Sequence, residues 1–362
     1  MNRKTQKILW VILFVVALYS FLLSINLLGD GLQLLGKGFT AKLISATANP
    51  LIGLFIGLLV TSIIQSSSAT TSIVVGMVAV GTLSIVQAIP IIMGANIGTT
   101  VTNTLVSLTH IRRKQEFQRA FPAAIVHDFF NILTVLVVFP LELKFHILQI
   151  GSGFLAKIFT GIGGASISSP LKFVISPVSL QLVKLFGNKG VIIVICAIVF
   201  LFAALKFLVD AMKSITTRRL ELIIDKYLFG GALQSFLIGL VITSIIQSSS
   251  VTTSLIVPLV GAGILTIYKI YPYTLGANIG TTVTAILASL VTGSPLAIQI
   301  AFAHFTFNVI GTCIWYPARI VPISIALWFG KIASKKRFIA ISYIVIVFYL
   351  IPIIIILANR LR

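Results

Sequence analysis

Two short polar motifs each occur twice in this sequence, in otherwise apolar surroundings. Residues 57–75 and 239–257 share one glutamine and three serines followed by threonines, and fourteen of nineteen positions are identical at an offset of 182. A second motif, GANIGTT, occurs at 94–100 and 276–282 with the same offset. Amides and hydroxyls can donate hydrogen bonds to an anion or offer oxygen lone pairs to a hard cation such as sodium. Their duplication favours an ion-binding site over the alternative that each hydroxyl bonds back to its own helix.

The composition places these motifs in a membrane protein. Hydrophobic residues make up 58% of the 362 and charged residues only 9%, whereas soluble proteins are about 25% charged. A net charge of +20 would suggest nucleic acid binding in a soluble protein, but here the basic residues lie mostly between or beside apolar runs, as in cytoplasmic loops. We therefore expect an all-α polytopic protein of the cell membrane, in contact with lipid and not with nucleic acid. The basic residues before the apolar run 8–28 predict a cytoplasmic N-terminus.

The lengths of the apolar runs indicate which elements carry the motifs. The run before the first glutamine starts near Leu51 and has about fourteen residues, and the run before the second starts near Phe236 and has about twelve. A spanning helix needs about 20. We therefore predict a re-entrant helical hairpin with its tip at QSSS, where exposed backbone N–H groups and a helix N-terminus suit an oxyanion. The two glycines of GANIGTT predict a break in helices that otherwise run through 86–108 and 270–290. The alternative is that they allow close helix packing.

The charges of the loops give the two halves opposite orientations. A basic loop at 110–119 follows the first GANIGTT and should be cytoplasmic, whereas uncharged residues 291–295 follow the second. We also interpret 213–227 as a basic cytoplasmic loop. Two inverted-topology repeats, with a substrate site where they meet, are typical of secondary transporters. The predicted segments are an N-terminal transmembrane helix (1–30), repeat 1 (31–140), a linker with interfacial helices (141–189), repeat 2 (190–330) and a C-terminal transmembrane helix (331–362).

One acidic residue lies where a carboxylate is unexpected. Asp128 lies inside an apolar helix, and the matching position in the second half is Phe305. An intramembrane carboxylate is a functional-site hypothesis by default, and here it would add countercharge for a coupling cation. The alternative is an ion pair with Arg113 or Arg119.

Together these motifs resemble the type II sodium-dependent phosphate cotransporter family. The resemblance spans about 51–140 and 231–322 and rests on the duplicated QSSS and GANIGTT, on VHDFFN at 126–131, and on HFTFN at 304–308 with WYP at 315–317. It implies sodium-coupled symport of inorganic phosphate by alternating access, with Na+ as the coupling ion and no cofactor. It also implies a bacterial member without the C-terminal PhoU-like domain that many bacterial relatives carry.

The resemblance and the chemistry of the side chains assign two kinds of ion to the motifs. Asp128 matches the acid that goes with an additional sodium ion in electrogenic members of the family. Phosphate is predicted to bind Ser66, Ser67, Ser68, Ser248, Ser249, Ser250, Asn96 and Asn278. Sodium is predicted to bind Gln65, Gln247, Thr70, Thr252, Thr100, Thr282 and Asp128.

Three other functions use the same residues differently. The site could serve a transporter or exporter of another small anion, such as sulfate or a carboxylate, or a phosphate sensor that transports nothing. An enzyme is not expected, because there is no GxSxG motif and nothing in the sequence links Ser67 to His127 as a nucleophile and base. A homodimer is a further possibility.

Overall fold

The computed structural model of the protein describes residues 3–161, 165–227 and 231–360. Within these ranges the chain forms helices joined by short turns, and no β-strand occurs. In the described residues, seven helical stretches, some of them made of consecutive helices, are long and apolar enough to cross a membrane. The predicted all-α polytopic class is therefore confirmed. The outermost residues of both predicted terminal segments, and residues 162–164 of the predicted linker, lie outside the described ranges.

The helices follow one another with little intervening chain. In the first half they are α1 (Arg3–Leu34), α2 (Gly36–Ala46), α3 (Pro50–Ile64), α4 (Ser67–Ala79), α5 (Ile85–Gly98), α6 (Val101–Ser107), α7 (Lys114–Phe145), α8 (Ile147–Phe159) and α9 (Ala165–Leu185). They continue as α10 (Gly190–Tyr227), α11 (Ala232–Ile246), α12 (Ser249–Ser254), α13 (Ile256–Gly261), α14 (Ile267–Gly280), α15 (Thr282–Thr292), α16 (Pro295–Trp315), α17 (Ile320–Lys335), α18 (Arg337–Val345) and α19 (Ile351–Arg360). A π-helical turn at Ile346–Leu350 joins the last two.

Local sequence explains where several of these helices begin. Asn49 caps α3 by accepting a hydrogen bond from the backbone N–H of Leu51, with Pro50 in the first turn, where proline loses no helical hydrogen bond. A capping box of Ser84 and Gln87 starts α5. These caps fix the helix starts on either side of the first QSSS motif.

The helices around each QSSS motif pack unusually closely, and glycine makes this possible. A Cβ on Gly57 of α3 would overlap the backbone carbonyl of Ile91 on α5, and a Cβ on Gly94 of α5 would overlap that of Leu54 on α3. The glycine of GANIGTT therefore serves close packing, which was the alternative to a helix break. The equivalent close pair in the second half is Gly239 of α11 and Gly276 of α14.

The helix is interrupted just after the second glycine of GANIGTT, but the threonines there keep right-handed helical dihedrals, so a broken helix stays a prediction. Helix α5 ends at Gly98 and α6 begins at Val101, so the interruption lies at Thr99 and Thr100. In the second half the interruption between α14 and α15 falls at Thr281. Each interruption thus lies at the hydroxyl residues of the motif.

Two differences from the predicted segments concern charged stretches. The predicted loop at 213–227 is instead helical, because α10 continues to Tyr227; the segment contains no glycine or proline, so nothing in it stops a helix. Helix α7 likewise begins at Lys114, within the predicted loop at 110–119. The predicted linker forms helices α8 and α9, whose interfacial location stays a prediction.

Candidate functional site

The two QSSS turns have nearly the same backbone conformation. Gln65 and Gln247 both end a helix in the left-handed region, each with φ of 59°. The next residues, Ser66 and Ser248, are extended and cap the following helix by accepting a hydrogen bond from the backbone N–H three residues on. Left-handed backbone is uncommon for residues other than glycine, and such strained residues cluster at functional sites. Each turn therefore presents a helix N-terminus at a fixed position.

The QSSS turns of the two halves contact each other and the opposite GANIGTT motif. The Ser68 hydroxyl donates to the backbone carbonyl oxygen of Gln247 at 2.9 Å and lies 3.3 Å from the Thr281 hydroxyl. On the other side, the Ser250 hydroxyl donates to the backbone carbonyl of Thr99 at 3.3 Å. The structure thus brings together both predicted serine motifs and both GANIGTT motifs.

Several polar atoms at this junction are buried without a protein partner. The Ser67 hydroxyl accepts a hydrogen bond from Thr99 at 2.7 Å, but its counterpart Ser249 Oγ has no partner among the described residues, nor does Gln247 Oε1. A buried polar atom without a partner costs about 1–3 kcal/mol. An ion or water bound at the second turn would satisfy both atoms.

The two turns differ in their access to the exterior. The Gln65 side chain is exposed, whereas only 5% of Gln247 is exposed; Ser66 and Ser248 are both partly exposed. The two turns therefore differ in the exposure of their glutamines and not in that of their first serines.

The hydroxyls of Thr70 and Thr252, both predicted sodium ligands, link the two arms of each hairpin. Thr70 is hydrogen-bonded to Thr61 at 2.9 Å, and Thr252 to Thr243 at 2.8 Å. These bonds fix the arms of each hairpin relative to one another. A hydroxyl keeps lone pairs when it donates, so these bonds do not prevent a contact with a cation.

Thr100 and Thr282, the sodium ligands predicted at the helix breaks, bond to their own backbone. Thr100 donates to the carbonyl of Ile97 at 2.8 Å, and Thr282 to that of Ile279 at 2.7 Å. Both are fully buried. They stabilise the ends of α5 and α14, and their oxygens can still accept or coordinate.

The predicted phosphate ligands Asn96 and Asn278 lie in a hydrogen-bond network that joins the two halves. His304 Nε2 lies 3.2 Å from Asn96 Oδ1, and Asn131 donates to the Asn96 backbone carbonyl at 2.8 Å. Asn278 donates to Asn131 at 3.0 Å and to Asn308 at 2.7 Å. The amides of GANIGTT therefore bond to the HDFFN and HFTFN motifs of α7 and α16, while Asn278 Oδ1 keeps no partner among the described residues.

Asp128 is fully buried, and three hydroxyls, those of Thr100, Thr104 and Tyr343, surround its carboxylate. Its Oδ2 accepts hydrogen bonds from Thr104 at 3.1 Å and from Tyr343 at 3.0 Å, whereas Oδ1 has no partner in the described part of the chain. Asp128 forms no ion pair with any described residue, and Arg113 pairs with Glu116 at 3.0 Å. The structure therefore does not support the alternative that an arginine neutralises Asp128.

Sequence reasoning missed several residues of this region. Asn103 of α6 and Thr253 of α12 bond to each other across the two halves at 2.8 Å, and Tyr343 reaches Asp128 from α18. Thr253 and Thr99 lie within the duplicated motifs, so their repetition was a usable signal. Asn103 and Tyr343 have no repeated counterpart, and only the fold reveals them.

The chemistry available is that of oxygen ligands and hydrogen-bond donors. Over the described ranges, no group of three or more histidine, cysteine or acidic residues could hold a metal ion. Hard cations such as sodium need only oxygen ligands, which hydroxyls, amides, backbone carbonyls and one carboxylate supply here.

Comparisons with known proteins identify the family of this chain. The profile of the Na+/Pi-cotransporter family matches residues 20–166 and 199–333. Sodium-dependent phosphate transport protein 2B of Homo sapiens is 34% identical over 95% of this chain and 64% of its own length, and the Pongo abelii protein gives the same figures. Sodium-dependent phosphate transport protein 2A of Rattus norvegicus is 34% identical over 96% of the chain and 67% of its own length.

The chain thus spans about 64% of the length of the first of these relatives. No solved structure matches the chain with significance. The family match covers both QSSS motifs, both GANIGTT motifs and Asp128. The chain belongs to the Na+/Pi-cotransporter family.

Proposed function

We propose that this protein is a sodium-coupled symporter of inorganic phosphate in the cell membrane that works by alternating access. Family membership supports this proposal, as do the relatives, which are named sodium-dependent phosphate transport proteins. Na+ is the coupling ion, and the protein carries out no chemical step on phosphate.

The hydrogen bond between Ser68 and the Gln247 carbonyl is the observation that carries the proposal. It joins the N-terminus of α4 to the turn between α11 and α12 at a buried junction, and a helix N-terminus favours an oxyanion. Phosphate would be held there by the hydroxyls of Ser66, Ser67, Ser68, Ser248, Ser249 and Ser250 and by the amides of Asn96 and Asn278. Because no lysine takes part, binding stays weak enough for release, and sodium supplies the compensating charge.

Sodium would bind beside phosphate through neutral oxygens, with one carboxylate in addition. The neutral ligands are Gln65, Gln247, Thr70, Thr252, Thr100 and Thr282. The unpartnered Oδ1 of Asp128 and the unpartnered Oε1 of Gln247 support this assignment, because each is a buried acceptor with free capacity. Asp128 has no acidic counterpart in the second half, so the two halves would contribute unequally to sodium binding.

The membrane arrangement we propose is a pair of inverted repeats, 31–140 and 190–330, with a re-entrant hairpin in each. Helix α3 has 15 residues and α4 has 13, which at 1.5 Å per residue gives about 20 Å, short of the roughly 30 Å hydrocarbon core. Two helices that are each too short to cross the membrane and that meet at a polar turn fit a re-entrant hairpin, which enters and leaves the membrane on the same side. The N-terminus would be cytoplasmic, and exposed apolar side chains such as Phe154 and Phe338 would face lipid.

The test is uptake of labelled phosphate into proteoliposomes that contain the purified protein. An imposed sodium gradient should drive accumulation, and an equal potassium gradient should not. Phosphate flux that ignores a sodium gradient in both directions would refute the proposal. Sulfate and small carboxylates, added in excess, should compete poorly; strong competition would indicate a different anion as substrate.

Two serine variants test where phosphate binds. Ser67→Ala and Ser249→Ala should each abolish most of the uptake. The matched control is Ser152→Ala, because Ser152 is a buried serine of α8 whose hydroxyl donates to the carbonyl of Gln149 in its own helix. Normal uptake in both test variants would refute the site assignment. Phosphate binding without accumulation in the wild type would instead support a sensor.

A further inference from the structure

Tyr343 reaches the buried carboxylate from outside both repeated segments. It lies on α18, beyond residue 333 where the family match ends. Its hydroxyl donates to Asp128 Oδ2 at 3.0 Å, and Thr104 donates to the same oxygen at 3.1 Å. The other oxygen, Oδ1, is buried without a hydrogen-bond partner among the described residues. Tyr343 and Thr104 therefore hold one oxygen of the carboxylate, and Thr100, a predicted sodium ligand, lies beside the carboxylate as well.

The ring of Tyr343 is itself fixed by aromatic packing. Its centroid lies 5.1 Å from that of Phe329, 6.0 Å from that of Phe348 and 6.3 Å from that of Phe129, the residue next to Asp128. A ring packed on three sides cannot easily turn its hydroxyl away. A phenylalanine at this position would keep all three ring contacts and lose only the hydrogen bond.

This arrangement occurs in one half of the chain only. The positions equivalent to Thr104 and Asp128 in the second half are Ile286 and Phe305. The carboxylate and one of its two donors are thus replaced together by apolar residues. Tyr343 therefore contacts a group that the two halves do not share.

We propose that Tyr343 is a positioning residue for sodium coupling. It fixes the rotamer of Asp128 so that Oδ1 points to the coupling ion while Oδ2 is occupied by the two hydroxyls. Hydrogen bonds to an ionised acceptor are stronger than those between neutral groups, and a ligand held by its neighbours binds with less loss of entropy. The inference rests on the proposed function, because it takes Asp128 as a sodium ligand.

The first test measures phosphate uptake into proteoliposomes against sodium concentration at saturating phosphate. Tyr343→Phe should raise the half-saturating sodium concentration by about three- to tenfold, the effect of losing one hydrogen bond of ordinary strength while Thr104 still donates to the same oxygen. The maximal rate at saturating sodium should stay near that of the wild type. The matched control is Tyr349→Phe: Tyr349 lies within the π-helical turn, and its hydroxyl donates to the backbone carbonyl of Ser62 at 3.2 Å and not to a carboxylate. Its sodium curve should match that of the wild type.

A double variant separates positioning from simple anchoring of the C-terminal helices. If Tyr343 acts through the carboxylate, adding Tyr343→Phe to Asp128→Asn should not change the half-saturating sodium concentration any further. If the two residues act independently, the two effects should add. An unaltered sodium curve for Tyr343→Phe, or additive effects in the double variant, would overturn the inference.

A second readout does not depend on transport. Sodium that binds the folded protein should raise its melting temperature in detergent relative to potassium. The rise at a fixed sodium concentration should be smaller in Tyr343→Phe than in Tyr349→Phe. If the wild type shows neither sodium-driven uptake nor a sodium-dependent melting temperature, the proposed function fails and the inference with it. If the wild type shows both and Tyr343→Phe is indistinguishable from it, only the inference fails.

Discussion

Ser68 on the first hairpin donates a 2.9 Å hydrogen bond to the backbone carbonyl oxygen of Gln247 at the tip of the second. The two residues are 179 positions apart, yet each lies in a copy of the same motif. The acceptor residue is in the left-handed conformation that ends α11, and the donor lies in the first turn of α4. The bond therefore couples the end of one hairpin arm to the start of another across the two halves.

Removing this bond should slow transport without unfolding the protein. Ser68→Ala leaves the buried Gln247 carbonyl without this donor, at a cost of about 1–3 kcal/mol, and we expect the uptake rate to fall about tenfold. The control is Thr71→Val, because the Thr71 hydroxyl donates only to backbone carbonyls of its own helix, at 2.8 Å to that of Ser67 and 3.3 Å to that of Ser68. Equal uptake rates for the two variants would contradict a role for the cross-half bond.

The close glycine pairs predict a large loss of stability from a single methyl group. In Gly94→Ala the new Cβ would overlap the backbone carbonyl of Leu54, and backbone cannot move aside as a flexible side chain can. We expect destabilisation of at least about 2–3 kcal/mol, measured as a lower melting temperature in detergent.

A glycine in open space provides the control for this prediction. A Cβ added to Gly38 in α2 would have no neighbour within 4 Å, so Gly38→Ala should be neutral or stabilising by about 0.5–1 kcal/mol. Similar melting temperatures for the Gly94 and Gly38 variants would show that α3 and α5 are not in close contact in solution.

The sequence is enough to predict the helical class and the polar turn at QSSS, because each depends on local composition. It is not enough to say which atoms meet. That Ser68 contacts a carbonyl of the other half, or that Tyr343 approaches Asp128, depends on how distant helices pack. The segment 213–227 shows a different limit. Its basic residues are typical of a cytoplasmic loop between membrane spans, but it has no glycine or proline to end a helix, and α10 continues through it.

The left-handed glutamines allow a test that separates stability from binding. Gln65→Gly removes a side chain from a conformation that costs residues other than glycine about 1–2 kcal/mol, so stability should hold or rise by up to about 1 kcal/mol. Uptake should nevertheless fall, because the amide proposed to bind sodium is gone. Melting temperature and the sodium dependence of uptake are the two measurements.

His146 provides a matched control for this variant. It is also left-handed, with φ of 53°, at the junction of α7 and α8. His146→Gly should change stability in the same direction and leave the sodium dependence of uptake as it was. Full uptake in Gln65→Gly would mean that the glutamine is present for reasons other than ion binding.

Two buried acids on one helix allow the charge of Asp128 to be tested against the charge of a structural acid. Asp128→Asn keeps the shape and an acceptor oxygen but removes the charge, so we expect the half-saturating sodium concentration to rise about tenfold or more and the charge moved per phosphate to fall.

Glu142 lies further along α7 and accepts a 2.6 Å hydrogen bond from the backbone N–H of Leu148 at the start of α8. Glu142→Gln should therefore lower stability by up to about 1 kcal/mol, through a weaker interaction with that helix N-terminus. Its sodium dependence should not change. Current and phosphate flux are to be measured together on both variants. If the sodium dependence of uptake in Asp128→Asn matches that in Glu142→Gln, Asp128 does not bind sodium.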